Sequence, residues 1–179
     1  MTRFVAFLRA INVGGHVVKM DTLRNLFEDL KFANVETFIA SGNVVFETKS
    51  VPDEKLEQKI EKHLEKALGY EVGAFVRTVD EVQAISVYQP FSAEMLKAAT
   101  VLSVGMIRKP LDVKTIDEVK SFNTEVDDFH IHGREVYWLC RIRTSDSKFP
   151  AKKFEKLVGG AATWRNRNTM VRIAAKYTL

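Results

Sequence analysis

The chain has 179 residues, of which 46% are hydrophobic and 28% charged, and this ordinary globular composition excludes an intrinsically disordered protein. No apolar stretch approaches the ~20 residues that a membrane-spanning helix needs, so we expect no membrane partner. The single cysteine, Cys140, excludes an internal disulfide and is typical of a protein of the reducing cytoplasm.

The net charge of +4 is unevenly distributed along the chain. Residues 1–90 carry 11 Lys and Arg against 13 Asp and Glu, whereas residues 91–179 carry 16 against 10. From Arg141 onward there are 10 basic side chains and only two acidic ones. A basic C-terminal third can attract nucleic acid or a phosphorylated ligand, and it can also be a merely solvated face.

The first half predicts the element order β-α-β-β-α-β, followed by a further short helix. Residues 4–13 are apolar at both alternating sets of positions, which is typical of a central strand covered on both faces. Thr78 and Glu81 have the spacing of a capping box, which predicts the start of the short helix. The other predicted elements are helices at 20–32 and 53–68 and strands at 35–40, 43–48 and 72–78.

The pattern pauses around Pro90, which predicts a linker between two halves at 1–90 and 91–179. The second half then repeats a similar order. Its predicted elements are a strand at 100–107, a helix at 112–122, a hairpin at 126–143, a helix at 150–158 and a final helix at 168–177. We therefore predict an α+β protein of two similar ferredoxin-like β-α-β-β-α units, the second incomplete and ending in a C-terminal helix instead of a strand.

The stretch INVGGHVVK is the first of three polar segments that do not suit their surroundings. Consecutive Gly14 and Gly15 permit positive φ angles and let backbone N–H groups point at an anion. The stretch has neither the dinucleotide-binding glycine pattern nor the phosphate-loop ending, which excludes both classes. A tight turn explains the glycines by itself, but it does not explain Arg9 and Asn12. His16 follows the glycines and is a candidate acid or base near neutral pH.

The other two polar segments are SGN, at 41–43, and TWRNRNT, at 163–169. A hairpin turn accounts for SGN without any ligand. In TWRNRNT, Arg165 and Arg167 at the start of the last helix would combine N–H donors, the helix dipole and two guanidinium groups into an anion site. A salt bridge to acidic residues of the other half is the alternative explanation.

Several of these motifs occur in an order that resembles a known family. The motifs are RAINVGGH, MDTLRNLFEDLKFANVETFIASGNVVF, PF at 90–91, SKF at 147–149 and RNRNT near the end. On these motifs the chain is similar, nearly from end to end, to the bacterial domain-of-unknown-function family 1697. Family members usually have glycine where this chain has Ala10 and tryptophan where it has Arg167. The alanine argues against an essential backbone approach at position 10.

The resemblance implies a cytoplasmic α+β protein of two similar halves, with no established activity or cofactor. It also implies a candidate site built from the matching polar positions. With His16 added, the candidate ligand-binding residues are Arg9, Asn12, Gly14, Gly15, His16, Ser41, Asn43, Lys148, Arg165 and Asn166.

We expect these segments to form a cleft between the halves that binds a small anionic ligand, phosphorylated ligands included. Two alternatives stay open. The β-α-β-β-α-β order and the basic last third are typical of single-stranded RNA modules, although SGNVVFET lacks their base-stacking aromatic pair. A non-catalytic interaction module, whose motifs only lock the halves together, is the other. The sequence identifies no metal-ligand spacing, cofactor or reaction, so whether the protein is an enzyme stays open.

Overall fold

The computed structural model describes residues 1–39, 42–49 and 51–178, and the chain divides into two units. The first comprises Met1–Gln83 and Ile173–Leu179, and the second comprises Ala84–Arg172. Each contains helices and a four-stranded antiparallel sheet, so the predicted α+β class is confirmed. Within the described ranges, every helix is too short or too polar to span a lipid bilayer.

The elements of the first half follow the predicted order. They are β1 (Thr2–Arg9), α1 (Met20–Asp29), β2 (Ala33–Thr37), β3 (Asn43–Thr48), α2 (Asp53–Leu68), β4 (Gly73–Thr78) and α3 (Val79–Val87). The strands form a sheet in the order β2-β3-β1-β4, so β1 is central. The predicted capping box begins α3: the N–H of Thr78 donates to Oε2 of Glu81 (2.7 Å), and the N–H of Glu81 donates to Oγ1 of Thr78 (3.1 Å).

Strand β1 is buried on both faces from Phe4 to Leu8, as its continuous apolar run predicts. One face packs into a core to which α1 contributes Phe27 and α2 contributes Ile60, both fully buried. Burying one side chain of this size stabilises the fold by about 1.5–3 kcal/mol. The two helices thereby fix β1 and the start of the loop that follows it.

The outer edge of β4 is closed by carboxylates instead of another strand. Oε1 of Glu57 accepts the N–H of Val76 (2.9 Å), and Oε1 of Glu61 accepts the N–H of Ala74 (2.9 Å). Glu57 is only 3% exposed although it lies on a helix. Each of these bonds satisfies a strand N–H group that would otherwise be available to another chain.

The second unit contains a strand that the sequence did not predict. The elements here are α4 (Ala93–Ala98), β5 (Val101–Met106), α5 (Val113–Lys120), β6 (Asp127–His132), β7 (Glu135–Cys140), a 3-10 helix (Thr144–Asp146), α6 (Ala151–Leu157), β8 (Thr163–Asn166) and α7 (Arg167–Tyr177). The sheet order is β6-β7-β5-β8. The prediction of an incomplete second unit is therefore wrong, because β8 supplies the fourth strand. The predicted C-terminal helix follows this strand directly.

Strand β8 is fixed by aromatic packing rather than by an apolar run. Trp164 lies opposite Gly105 of β5, and a Cβ on that glycine would be 2.7 Å from the indole ring. The same ring contacts Trp138 and Phe149, with centroids 5.6 and 5.9 Å away. A four-residue strand that contains arginine and asparagine lacks the periodicity by which strands are identified in a sequence.

Cys140 ends β7 and is fully buried. Burial raises the pKa of its thiol. The thiol therefore stays protonated at neutral pH and acts as a small hydrophobic group rather than as a nucleophile.

The last residues of the chain belong to the first unit, whereas the sequence assigned them to the second half. Oε2 of Glu36 accepts hydrogen bonds from Nζ of Lys176 (2.7 Å) and from the hydroxyl of Tyr177 (2.8 Å). These bonds lower the pKa of Glu36, and the bond to Glu36 raises the pKa of Lys176 to about 12. Nη1 of Arg3 also donates to the backbone oxygen of Tyr177 (3.2 Å). Such distant pairings have no local signature in the sequence.

Candidate functional site

The β1–α1 loop, defined as residues 10–19, is exposed from Asn12 to Val17 and is held in one shape by its own polar groups. Oδ1 of Asn12 accepts the N–H of Val18 (2.9 Å), which ties the beginning of the loop to its end. The N–H of His16 donates to the backbone oxygen of Val13 (3.1 Å) and closes a tight turn. Asn12, a candidate ligand-binding residue, therefore uses its side-chain oxygen to organise the loop.

His16 and Tyr70 form an aromatic pair beside this turn. Their rings stack with centroids 3.9 Å apart and an interplanar angle of 19°. The hydroxyl of Tyr70 donates to the backbone oxygen of Ile11 (2.8 Å), which fixes the ring against the start of the loop. Burial raises the pKa of Tyr70, so the hydroxyl keeps its proton for this bond at neutral pH. Sequence reasoning missed Tyr70, since no motif connects it to the loop.

Gly14 and Gly15 occupy the exposed tip of the loop, with φ angles of +61° and +83°. Within the described part of the chain, neither of their N–H groups donates to a protein acceptor. A Cβ built on either glycine would meet no atom within 4 Å, so the space around the tip is open. Uncommitted N–H groups in open space are available to water or to an anion.

Arg9 ends β1 immediately before this loop and pairs with Gly73 of β4. Side chains alternate along a strand, and Leu8 faces the core under α1 and α2. Arg9 therefore lies on the opposite face of the sheet and is partly buried. The side chain of Arg9 is thus on the sheet face opposite α1 and α2, where Phe7 and Phe75 are fully buried.

The SGN hairpin serves the architecture of the first unit. Asn43 is completely buried, and its Nδ2 donates to the backbone oxygen of Phe38 (3.0 Å). A Cβ on Gly42 would lie 2.8 Å from Cγ2 of Ile11, so the neighbouring position is also filled. Asn43 is therefore not exposed to a ligand, which corrects its prediction as a ligand-binding residue. Ser41 lies outside the described residues.

In the SKF segment of the second unit, the residues on either side of Lys148 are held inward. Oγ of Ser147 donates to Oδ2 of Asp127 (2.9 Å), a carboxylate that also accepts Nε1–H of Trp138 at Oδ1 (2.8 Å). Phe149 packs on Trp138 with ring centroids 4.8 Å apart. Lys148 itself is exposed. The motif therefore anchors a loop and presents one lysine to solvent.

The TWRNRNT segment is divided between β8 and α7, so it is not a helix N-terminus throughout. Nη1 of Arg165 donates to Oγ1 of Thr163 (3.0 Å) and to the backbone oxygen of Trp164 (2.8 Å). Burial lowers the pKa of Arg165 to about 10, which leaves it charged at neutral pH. Asn166 uses its Oδ1 to accept the N–H of Asn168 (2.9 Å) at the start of α7.

Arg167, the second arginine of the predicted anion site, donates from Nη2 to the backbone oxygen of Ser86 (3.0 Å). Both arginines therefore donate hydrogen bonds to oxygen atoms of the protein itself. These bonds explain the two arginines as structural residues, without a ligand. Within the described ranges, no group of three His, Cys, Asp or Glu side chains is arranged to hold a metal ion.

Comparisons with known proteins agree with the motifs. The model of a family described as Protein of unknown function (DUF1697) matches residues 1–137. No curated protein matches the chain. Among solved structures, the conserved bacterial protein SP0830 from Streptococcus pneumoniae is 24% identical in sequence, with 97% of each chain covered and a TM-score of 0.73. This structural likeness concerns the fold alone.

Proposed function

The chain belongs to the DUF1697 family, and we propose that it is a cytoplasmic protein that binds a small anionic ligand, phosphorylated ligands included, at the β1–α1 loop. The observation that carries the proposal is the Gly14–Gly15 tip, whose N–H groups find no acceptor among the described residues. Exposed main-chain N–H groups are suitable donors for phosphate and carboxylate oxygens. The loop is already held in shape, so a ligand would pay little to order it.

Positive charge at the end of the loop supports an anionic ligand. Lys19 is the last loop residue and the N-cap residue of α1. No side chain caps this helix, so its first N–H groups and its dipole add a partial positive charge. Asp21 in the first turn offsets part of that charge. His16 adds a ring stacked on Tyr70 beside the glycine pair, and the proposal is limited to binding.

We further take both units as ferredoxin-like, an interpretation that their common strand pattern supports. In each sheet the unit's first strand lies between its third and fourth strands, and its second strand is at an edge. The loop of the second unit that corresponds to the β1–α1 loop, residues 107–112, contains no glycine. The glycine pair is therefore not a requirement of this topology, which favours a role specific to the first unit.

The proposal can be tested by titrating 15N-labelled protein with inorganic phosphate and pyrophosphate in an NMR experiment. We expect the amide resonances of Gly14 and Gly15 to shift in a saturable way, because their N–H groups are the proposed donors. The resonance of Gly159 should stay in place, since its N–H is already bound to the backbone oxygen of Lys156 (3.4 Å). Unmoved Gly14 and Gly15 resonances at millimolar pyrophosphate would remove the proposal.

A pair of matched variants separates binding from stability. Gly15→Ala and Gly159→Ala place the same methyl group at similar φ angles, +83° and +80°, and both have open surroundings. We expect the first variant to weaken pyrophosphate binding and the second to leave it unchanged, although both lose comparable stability. Equal binding in the two variants would assign the glycines to the turn alone.

An interaction module is the competing function that one observation favours. Val13 and Val17 flank the glycine pair and are 54% and 83% exposed, which is unusual for valine. Replacing both by serine leaves the N–H donors in place. Unchanged anion binding in that variant supports the anion site. Loss of binding to a protein partner, where phosphate does not compete with that partner, supports the interaction module.

A further inference from the structure

A cavity of about 490 Å³ lies in the first unit, between the C-terminal end of α1 and the first two turns of α2. This volume is within the range of roughly 300–1,000 Å³ that is typical of small-molecule sites. The cavity shares no lining residue with the β1–α1 loop. Its walls come from the α1–β2 turn, the end of β3 and the start of α2.

The floor of this cavity is apolar. Phe32 and Leu56 contribute core side chains that are 6% and 3% exposed, and Leu30 is partly buried beside them. Val51 lines the cavity and is 39% exposed, so it stands where solvent can enter. An apolar part of a ligand would therefore contact a surface that is otherwise covered only by water.

Four lysines surround this floor: Lys31, Lys49, Lys55 and Lys59. None of the described residues that line the cavity is acidic. Within the described part of the chain, none of the four ammonium groups forms an ion pair. Like charges gathered around a low-dielectric wall raise the local positive potential and attract an anion.

Two of these lysines have a partial explanation in the fold. Nζ of Lys59 donates to the backbone oxygen of Leu30 (2.9 Å) and lies 4.8 Å from the ring centroid of Phe32. Lys31 follows the end of α1 with a left-handed φ of +63°. The C-terminal end of a helix favours positive charge, so α1 accounts for both.

That explanation does not extend to the other two lysines. Lys49 follows β3, and Lys55 lies in the first turn of α2, where the helix dipole disfavours positive charge. Asp53 and Glu54 of the same turn offset that dipole but do not line the cavity. The fold therefore does not account for Lys49 and Lys55, and an anion at the cavity would account for their position beside the other two lysines.

We propose that this cavity binds a small amphipathic anion, a molecule with one short apolar chain or ring that ends in a phosphate or carboxylate. The apolar part packs on Phe32, Leu56 and Val51, and the anionic end lies among the lysines. An inorganic anion lacks the first contact, and an uncharged lipid lacks the second. The cavity therefore selects a ligand that carries both features.

Isothermal titration calorimetry with octyl phosphate, kept below its micellar concentration, tests this inference. We expect octyl phosphate to bind about tenfold or more tightly than inorganic phosphate or octanol, because each control loses one class of contact. Comparable affinities for octyl phosphate and inorganic phosphate would overturn the proposal. Binding to phosphatidylglycerol vesicles without binding of monomeric octyl phosphate would also overturn it, since it would indicate a membrane surface.

Two double variants that remove the same charge, one at the cavity and one away from it, test the role of the lysines. Lys49→Gln combined with Lys55→Gln should weaken octyl phosphate binding about tenfold. Lys62→Gln combined with Lys66→Gln removes the same charge from exposed positions of α2 that do not line the cavity, and it should leave binding unchanged. Equal effects of the two double variants would show a nonspecific charge effect and contradict a site.

The apolar contact has its own variant. Val51→Asp replaces an apolar wall of the cavity by a carboxylate among the four lysines. Because Val51 is half-exposed, we expect circular dichroism to show a folded protein. Octyl phosphate binding should fall about tenfold. The inference is independent of the β1–α1 loop, because Gly15→Ala should leave octyl phosphate binding intact. Loss of binding in Gly15→Ala but not in Val51→Asp would assign the ligand to the loop instead.

Discussion

Two glycine motifs of the first unit share a left-handed backbone but stand in opposite surroundings. Gly42 (φ +76°) is crowded, because a Cβ there would lie 2.8 Å from Ile11 and 3.2 Å from Leu8. The Gly14–Gly15 pair is open, with no atom within 4 Å of either Cβ position. The crowding at Gly42 leaves no room for a ligand. The open space at Gly14 and Gly15 leaves room for one beside N–H groups that have no acceptor. Of the two motifs, only the Gly14–Gly15 pair has open space around its Cβ positions.

The largest expected effect is that of Gly42→Ala. The substitution strains the backbone by about 1–2 kcal/mol and forces a methyl group into Ile11, which adds roughly 1–3 kcal/mol. We therefore expect the free energy of unfolding to fall by about 3 kcal/mol in urea denaturation. A loss below about 1 kcal/mol would mean that the hairpin relaxes easily and that the contrast with the open pair is weak.

Gly105→Ala tests crowding without backbone strain. The new methyl group would meet three atoms of the Trp164 ring at 2.7–2.9 Å, and that ring is packed among other aromatic side chains. We expect a loss of about 2 kcal/mol, together with a change in tryptophan fluorescence as the indole moves. If neither the fluorescence nor the free energy of unfolding changed, β8 would have to shift as a whole without loss of stability, which would contradict the prediction.

Gly15→Ala tests backbone strain without crowding. Its stability should fall by about 1 kcal/mol, clearly less than that of Gly42→Ala, because only the left-handed angle is affected. Urea denaturation of both variants under one set of conditions measures the difference. Similar losses at the two positions would remove the distinction between a crowded and an open glycine.

The smallest expected effect is a gain. Ala10 has a φ of +65°, a left-handed angle that costs an alanine more than it would cost a glycine. Ala10→Gly relieves that strain but adds entropy to the unfolded chain, so we expect a net stabilisation of about 0.5 kcal/mol. Thermal unfolding measures it as a small rise in Tm, and a fall in Tm would show that the loop already accommodates the alanine.

Local signals in the sequence predicted most of the fold. The capping box at Thr78 and Glu81, the apolar run of β1 and the order of the first seven elements are confirmed. Strand β8 escaped prediction because cross-strand packing of Trp164 on Gly105 fixes it, and the helix follows it without a linker. The assignment of the C-terminus depends on Glu36, which no nearby pattern indicates.

The candidate site was predictable only in part. The glycine pair was found because consecutive glycines are a local signal, and polar motifs such as Asn43 and Arg165 proved to bind protein oxygens. No sequence motif indicates the cavity between α1 and α2, since its lining residues come from separate segments of the chain. The spacing of Lys55 and Lys59 on either side of Leu56 is a faint signal, because i and i+4 positions share one helix face.

The carboxylates along β4 determine how copies of the first unit can meet. Hydrogen-bonded glutamates occupy the places where a foreign strand would dock, and the opposite edge strand, β2, has a register shift between Ala33 and Glu36. The N–H groups of Ala74 and Val76 at the β4 edge are thus already hydrogen-bonded, and the β2 edge is irregular. Templated growth into fibrils by strand addition is therefore disfavoured at both borders.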